Sequence, residues 1–210
     1  MNLFNKYTLF AILVVCMCMC MYLYIENDAH FISTKSLIDG RTYEVRDTNL
    51  DASASVKQIT SEDSANRLAS IKKDTDKLVN YMYSKGLPDR DTAIRLHDRW
   101  VNSSLKETAE SSKNIAYTIN KGQEVHLCIR SSDVQFENYN TSIFVILHEL
   151  AHIMSKSYGH QEEFKSNFTI LLTYANKLGI YKLQNFNERP ETYCGTKIDN
   201  SPCSYNNMCT

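Results

Sequence analysis

The chain has no excess of either charge. Its 23 Lys and Arg stand against 24 Asp and Glu, a formal net charge of −1 at pH 7 with His neutral. A general nucleic-acid binder needs a positive surface to displace counterions from phosphates, so no nucleic-acid partner is expected. Glycine and proline are scarce, at 6 and 3 in 210 residues, which excludes collagen-like and low-complexity architectures. The 7 cysteines are too few and too clustered to staple the whole chain as a small disulfide scaffold. What is present, 43% hydrophobic and 22% charged residues, fits one folded domain of catalytic size with attachments.

Hydropathy is uneven along the chain. Tyr7 to Ile25 is a run of nineteen residues without a charge. As a helix it would reach about 28 Å, close to the thickness of a hydrocarbon core. Lys6 precedes the run, and Glu26 and Asp28 follow it. These features predict a retained transmembrane signal anchor, with the N-terminus cytosolic and the rest of the chain on the opposite side, in a cellular or virion membrane. Cys16, Cys18 and Cys20 read as small lipid-facing hydrophobes within it.

Residues 26–66 read as a stalk, with a short strand at Thr42–Val45. After the polar start Ser61-Glu62-Asp63, Leu68, Ile71, Leu78 and Met82 fall at helical spacing, and Gly86-Leu87-Pro88 stops the helix. A second helix is expected over Asp91–Trp100 with Ile94 inward, then a polar loop over Asn102–Lys113. The period then changes to two. Ile115, Tyr117 and Ile119 alternate, Asn120-Lys121-Gly122 makes a turn, and Val125, Leu127 and Ile129 alternate again, which predicts a hairpin. Asn140-Thr141-Ser142 offers an N-cap for the apolar helix that follows, expected to end near Ser157-Tyr158-Gly159. A last helix is expected over Gln161–Leu178, closed by Gly179.

The apolar helix carries His148-Glu149-Leu150-Ala151-His152, an H-E-x-x-H pattern. Histidines four apart project from one helix face, so both imidazoles can bind one Zn²⁺. Glu149 lies one residue round and can reach water at the ion without being a ligand. Imidazole donors suit zinc, whereas Mg²⁺ and Ca²⁺ prefer oxygen. A catalytic zinc takes a third protein ligand and keeps a position open. His160, beyond the expected turn at Tyr158-Gly159, is the first candidate for it, with Glu162 and Glu163 as alternatives. His30, His97 and His126 read as ordinary histidines, although His126 could border a substrate cleft.

The stretch HELAHIMSKSYGHQEEF resembles the WLM and SprT-like zinc metalloproteases, in which H-E-x-x-H is followed by a loop and a G-H-x-x-x-F-type segment. Gly159, His160 and Phe164 match that segment. The resemblance implies His148, His152 and His160 as ligands of one catalytic Zn²⁺ and Glu149 as catalytic base. It is specific over 143–164 and extends over roughly 67–180. Within the family the chain looks most like membrane-anchored proteins of large DNA viruses that carry a Cys-containing tail. The implied fold is α+β: a small zincin-like domain over 67–180, in which a short β-hairpin sheet packs on the active-site helix with flanking helices. A transmembrane helix over 1–25 and a tail over 181–210 complete the expected chain. The better-known family members act on proteins crosslinked to DNA. This chain lacks a zinc finger or basic extension, so that substrate does not follow.

The expected function is a membrane-anchored zinc metallopeptidase acting on protein or peptide substrates. Substrate would pair with a strand edge near 124–130, and Tyr158 or His126 would assist at the oxyanion. The alternative is a non-catalytic, zinc-stabilised membrane or virion component. Beyond the anchor, Cys128, Cys194, Cys203 and Cys209 allow three full disulfide pairings, with a free thiol the other possibility for Cys128. Asn102, Asn140 and Asn167 begin N-x-S/T sequons.

Overall fold

A computed structural model describes residues 8, 10–19, 31–48, 53–110 and 112–202. The fold mixes helices and short strands, as expected. In chain order the elements are β1 (Phe31–Lys35), β2 (Thr42–Arg46), α1 (Ser61–Lys85), α2 (Arg90–Val101), β3 (Ser104–Glu107), β4 (Ala116–Ile119), β5 (Glu124–Leu127), β6 (Arg130–Ser132), β7 (Gln135–Phe136), α3 (Tyr139–Met154), α4 (Glu162–Lys177), β8 (Glu191–Tyr193) and β9 (Thr196–Ile198).

Local chemistry explains the helix ends. The Thr60 hydroxyl accepts from the Asp63 amide while the Asp63 carboxylate accepts from the Thr60 amide, a reciprocal capping box. Gly86 takes a left-handed conformation and donates back to Met82 and Tyr83. Leu68, Ile71, Leu78 and Met82 are wholly buried, as their spacing predicts. On α2 the inward residues are Ala93, Leu96 and Trp100, whereas Ile94 is only half-buried. The single Trp sets that face: the Trp100 indole donates to Asp76 of α1 at 2.8 Å, under the Lys72 ammonium.

Strand β5 is the centre of a three-stranded sheet, parallel to β3 and antiparallel to β4. The expected hairpin is therefore present. Its turn needs positive φ at Asn120, Lys121 and Gly122. Gly122 is further constrained, because a Cβ there would sit 3.2 Å from the Ile153 side chain of α3. Strand β3 falls within the segment expected to be a polar loop. Its Leu105 and Glu107 are buried beside Val125 and Leu127, so one charged residue among the inward positions hid the alternation.

That charged residue organises a buried ionic knot. Glu107 accepts from Arg46 Nε at 2.9 Å, from the Arg46 amide at 2.8 Å and from Arg130 Nε at 2.8 Å. The two arginines also donate to each other's carbonyls, at 2.8 and 2.9 Å. The knot fastens β2 to β3 and β6. Residues 31–46 thus form a hairpin that packs on the domain, with Tyr43 and Val45 in the core, although this segment reads as stalk in sequence.

Cys128 pairs with Cys194 across 66 residues, tying the β8–β9 hairpin to the end of β5. Tyr193 strengthens the junction by donating its phenol to the Cys128 carbonyl. Cys203 and Cys209 lie outside the described residues. Closing a loop of this length restricts the unfolded chain by about 4 kcal/mol in the chain-entropy view. Cys128→Ser should therefore lower unfolding free energy by up to about that amount under oxidising conditions, read by denaturant titration. The parent protein in reductant should fall to the same value.

The expected anchor needs correction. Residue 8 and residues 10–19 of that segment are described, and they are helical. Among the described residues no helix is long and apolar enough to cross a membrane. The transmembrane anchor, and the single-pass localisation and membrane partner drawn from it, are therefore not supported; residues 1–7, 9 and 20–25 of that segment lie outside the described residues. The sequon at Asn167 is also unavailable to a glycan in this fold, because its buried amide donates to Ser155 Oγ at 2.9 Å.

Candidate metal centre

Helix α3 is apolar on nearly every side, and Ile143, Ile146, Leu147, Leu150, Ala151, Ile153 and Met154 are fully buried. The cap is Asn138, two residues before the expected Asn140. Its side chain accepts from the amides of Asn140 and Thr141. The helix stops at Met154, earlier than expected, because its last carbonyls are taken by cations from neighbouring elements. Arg99 donates to Ile153 O at 2.7 Å, Arg95 to Met154 O at 2.8 Å, and Lys121 to the carbonyls of Ser155 and Ser157. Positive charge at a helix C-terminus also complements its dipole.

Against this fixed rod the histidines converge. His148 and His152 place their Nε2 atoms 3.2 Å apart, and His160 Nε2 lies 3.0 Å from that of His148. The ligand atoms of all three fall within 4.8 Å of one another, and the trio could hold a metal ion. A tetrahedral ion with Zn–N bonds of about 2.0–2.1 Å would set neighbouring nitrogens roughly 3.3 Å apart, so the donor set fits zinc. The two helix imidazoles are also uncharged near neutrality. Burial, then the neighbouring imidazoles, push His148 down to about 3, and burial, then the neighbouring His160 ring and the Lys121 ammonium, push His152 down to about 4. Neutral imidazole is the form that ligates a metal.

His160 reaches the trio because the chain folds back between α3 and α4. The Glu163 carboxylate accepts from the amides of Lys156 and Ser157, both at 2.9 Å, and from the Ser157 hydroxyl. Those bonds hold it ionised, with a pKa lowered to about 2. Glu163 therefore braces the loop and is turned away from the histidines, while Glu162 pairs with Lys165 at 2.6 Å. Phe164 then packs on all three imidazoles, with centroids 4.4–4.8 Å away.

Glu149 is buried, at 6% exposure, and accepts a 2.7 Å hydrogen bond at Oε2 from the Thr118 hydroxyl on β4. Burial raises its pKa to about 7, with the Thr118 bond opposing. Thr118 is absent from the sequence reading. Its signal lay in the register: Thr118 pairs with wholly buried Val125 and so shares its face, while Tyr117 pairs with His126 on the other. Thr118→Val should lower turnover by roughly ten- to a hundredfold, the range of a hydrogen bond to a charged group, with metal content unchanged. Thr118→Ser should restore most of it in the same assay.

Other candidates fall away from the site. His126 stacks on Tyr117 at 4.4 Å and bonds Glu124 at 3.0 Å, on the sheet face opposite Thr118. Tyr158 is 81% exposed and sits under the Lys121 ammonium. His97 pairs with Asp98 and stacks on Tyr83, and His30 lies outside the described residues. Both edges of β5 are occupied, so the expected edge near 124–130 is not open to a substrate; the outer edge of β4 carries no partner strand among the described residues.

A family model described as the WLM domain matches residues 91–208. Uncharacterised protein R325 of Acanthamoeba polyphaga mimivirus is 36% identical over 106 residues, 50% of this chain and 54% of that protein. Uncharacterised protein 136R of invertebrate iridescent virus 6 is 44% identical over 69 residues, 31% of this chain and 38% of that protein. The chain thus spans about half or less of these relatives. The crystal structure of Wss1 from Saccharomyces cerevisiae aligns with a TM-score of 0.44 and 18% identity, covering 58% of this chain and 84% of that one. The family match takes in more than half of the sequence, including Glu149 and the three converging histidines, and on that ground the chain belongs to the WLM domain family, with similar proteins in large DNA viruses.

Proposed function

We propose that the chain is a zinc-dependent metallopeptidase acting on protein or peptide substrates. The observation that carries this reading is the convergence of three imidazoles beside a buried carboxyl, at an open cavity whose lining includes His148, Glu149 and His160. His148, His152 and His160 would hold the ion. A bound Zn²⁺ supplies Lewis-acid polarisation of a carbonyl and acidifies water. Glu149, poised near neutrality, takes the proton of the attacking water and returns it to the departing amine. Thr118 fixes Oε2, which leaves Oε1 to carry that proton. An extended substrate would align along the outer edge of β4, whose Thr118 already touches the base.

The test is hydrolysis of an unfolded protein substrate by the full chain. Activity should disappear with a zinc chelator and return on adding back a stoichiometric amount of Zn²⁺. Chelator-resistant hydrolysis, or none by a fully zinc-loaded chain, overturns the proposal.

A further inference from the structure

The cavity beside the histidines is larger than a metal centre requires. It holds about 500 Å³ and continues past His148 and Glu149 to the tail, where residues 196–202 form its far wall. Its helix side is apolar: Phe144, Val145 and Phe168 line it, and Ile198 of β9 joins them from the tail. The placement follows from helix geometry. Phe144 and Val145 lie four and three residues before His148, one turn along the same face. Phe168 lies 5.3 Å from the His148 ring and 5.1 Å from Phe144, joining metal site to pocket. These residues keep 5–9% exposure while Ile143, Ile146 and Leu147 on the same helix keep none. They are the part of the core that opens onto the cavity.

The charges at its rim cancel in pairs. Lys197 meets Asp199 at 3.2 Å, and Lys165 meets Glu162 at 2.6 Å. Away from Glu149, a charged side chain entering the pocket would lose its water and meet, among the described residues, rim charges already paired with one another, which is unfavourable. A large apolar one would gain burial against Phe144, Val145, Phe168 and Ile198. The wall facing α3 is firm, since the Cys128–Cys194 bridge and the bond from Cys194 N to Glu137 at 3.0 Å anchor the tail hairpin.

We infer that this cavity is the specificity pocket of the site and takes a large apolar or aromatic side chain next to the scissile bond. The inference rests on the metallopeptidase reading for its chemistry, but the pocket can be read by binding alone. The zinc-loaded full chain carrying Glu149→Gln is titrated with capped peptides that differ at one position, X, being Phe, Leu, Ala, Asp or Lys. Phe and Leu peptides should bind about tenfold or more tighter than the others, in line with apolar discrimination of this size. Val145→Phe, which fills the pocket from α3, should remove the preference, and Ile198→Trp should do so from the tail; melting curves like the parent's identify the folded variant to be read. Equal affinity across X overturns the inference, as does a preference that survives both substitutions. The same peptides with Glu149 intact test the chemistry separately. Selective binding without cleavage sinks the peptidase reading and leaves the pocket, whereas cleavage indifferent to X does the reverse.

Discussion

Glu149→Gln should lower hydrolysis by about 10²- to 10⁴-fold, the usual contribution of a positioned general base, while the protein binds zinc as before. The carboxamide has nearly the same shape and can still accept from Thr118, which donates to Oε2 at 2.7 Å. It cannot accept a proton near neutrality. The substitution therefore removes proton transfer and little else. The His148, His152 and His160 cluster depends on helix α3 and the Glu163-braced loop, neither of which the change touches. Metal content by atomic spectroscopy and turnover of an unfolded substrate, measured on one preparation, check both halves. Full activity with zinc bound would remove Glu149 from the reaction.

The largest expected effect on stability lies away from the site. Glu107→Ala should destabilise the fold by about 3–5 kcal/mol, because it removes the buried carboxylate that two buried guanidinium groups share and leaves them only the half-exposed Asp133 and the exposed Glu110. The side chains of Arg46, Arg130 and Glu107 are 7%, 0% and 1% exposed, so water cannot take over the lost contacts. Glu110 is the internal control. It also approaches Arg46, at 3.6 Å, but is 77% exposed, and Glu110→Ala should change stability by less than about 1 kcal/mol. Urea unfolding of the two variants beside the parent decides the matter. Similar losses for both would mean that the knot is not the fastening it looks to be.

Much of this architecture was legible because periodicity is a local property. The spacing of Leu68, Ile71, Leu78 and Met82 gave α1, the H-E-x-x-H run placed two histidines on one face of α3, and Gly159-His160 marked where a third could return. Pairings between distant residues were less visible. Glu107 looked like a loop charge because its partners, Arg46 and Arg130, lie 61 and 23 positions away. Cys128 could not be matched to Cys194 by spacing alone. Thr118 was missed for a subtler reason. The large apolar residues of β4, Tyr117 and Ile119, lie on the face opposite Val125 and Leu127, and Thr118 shares the inward face with only the small Ala116.

The pairing of β4 with β5 has a chemical consequence. Side chains alternate along a strand, so sliding β4 by a single position would withdraw the hydroxyl of Thr118 and offer Tyr117 or Ile119 to the carboxyl of Glu149. What prevents the slip is the tight reversal at 120–122, where Gly122 holds a positive φ and a side chain would press on Ile153 at 3.2 Å. One added or deleted residue there would reassign which group attends the base, although the reversal contributes no atom to the reaction itself.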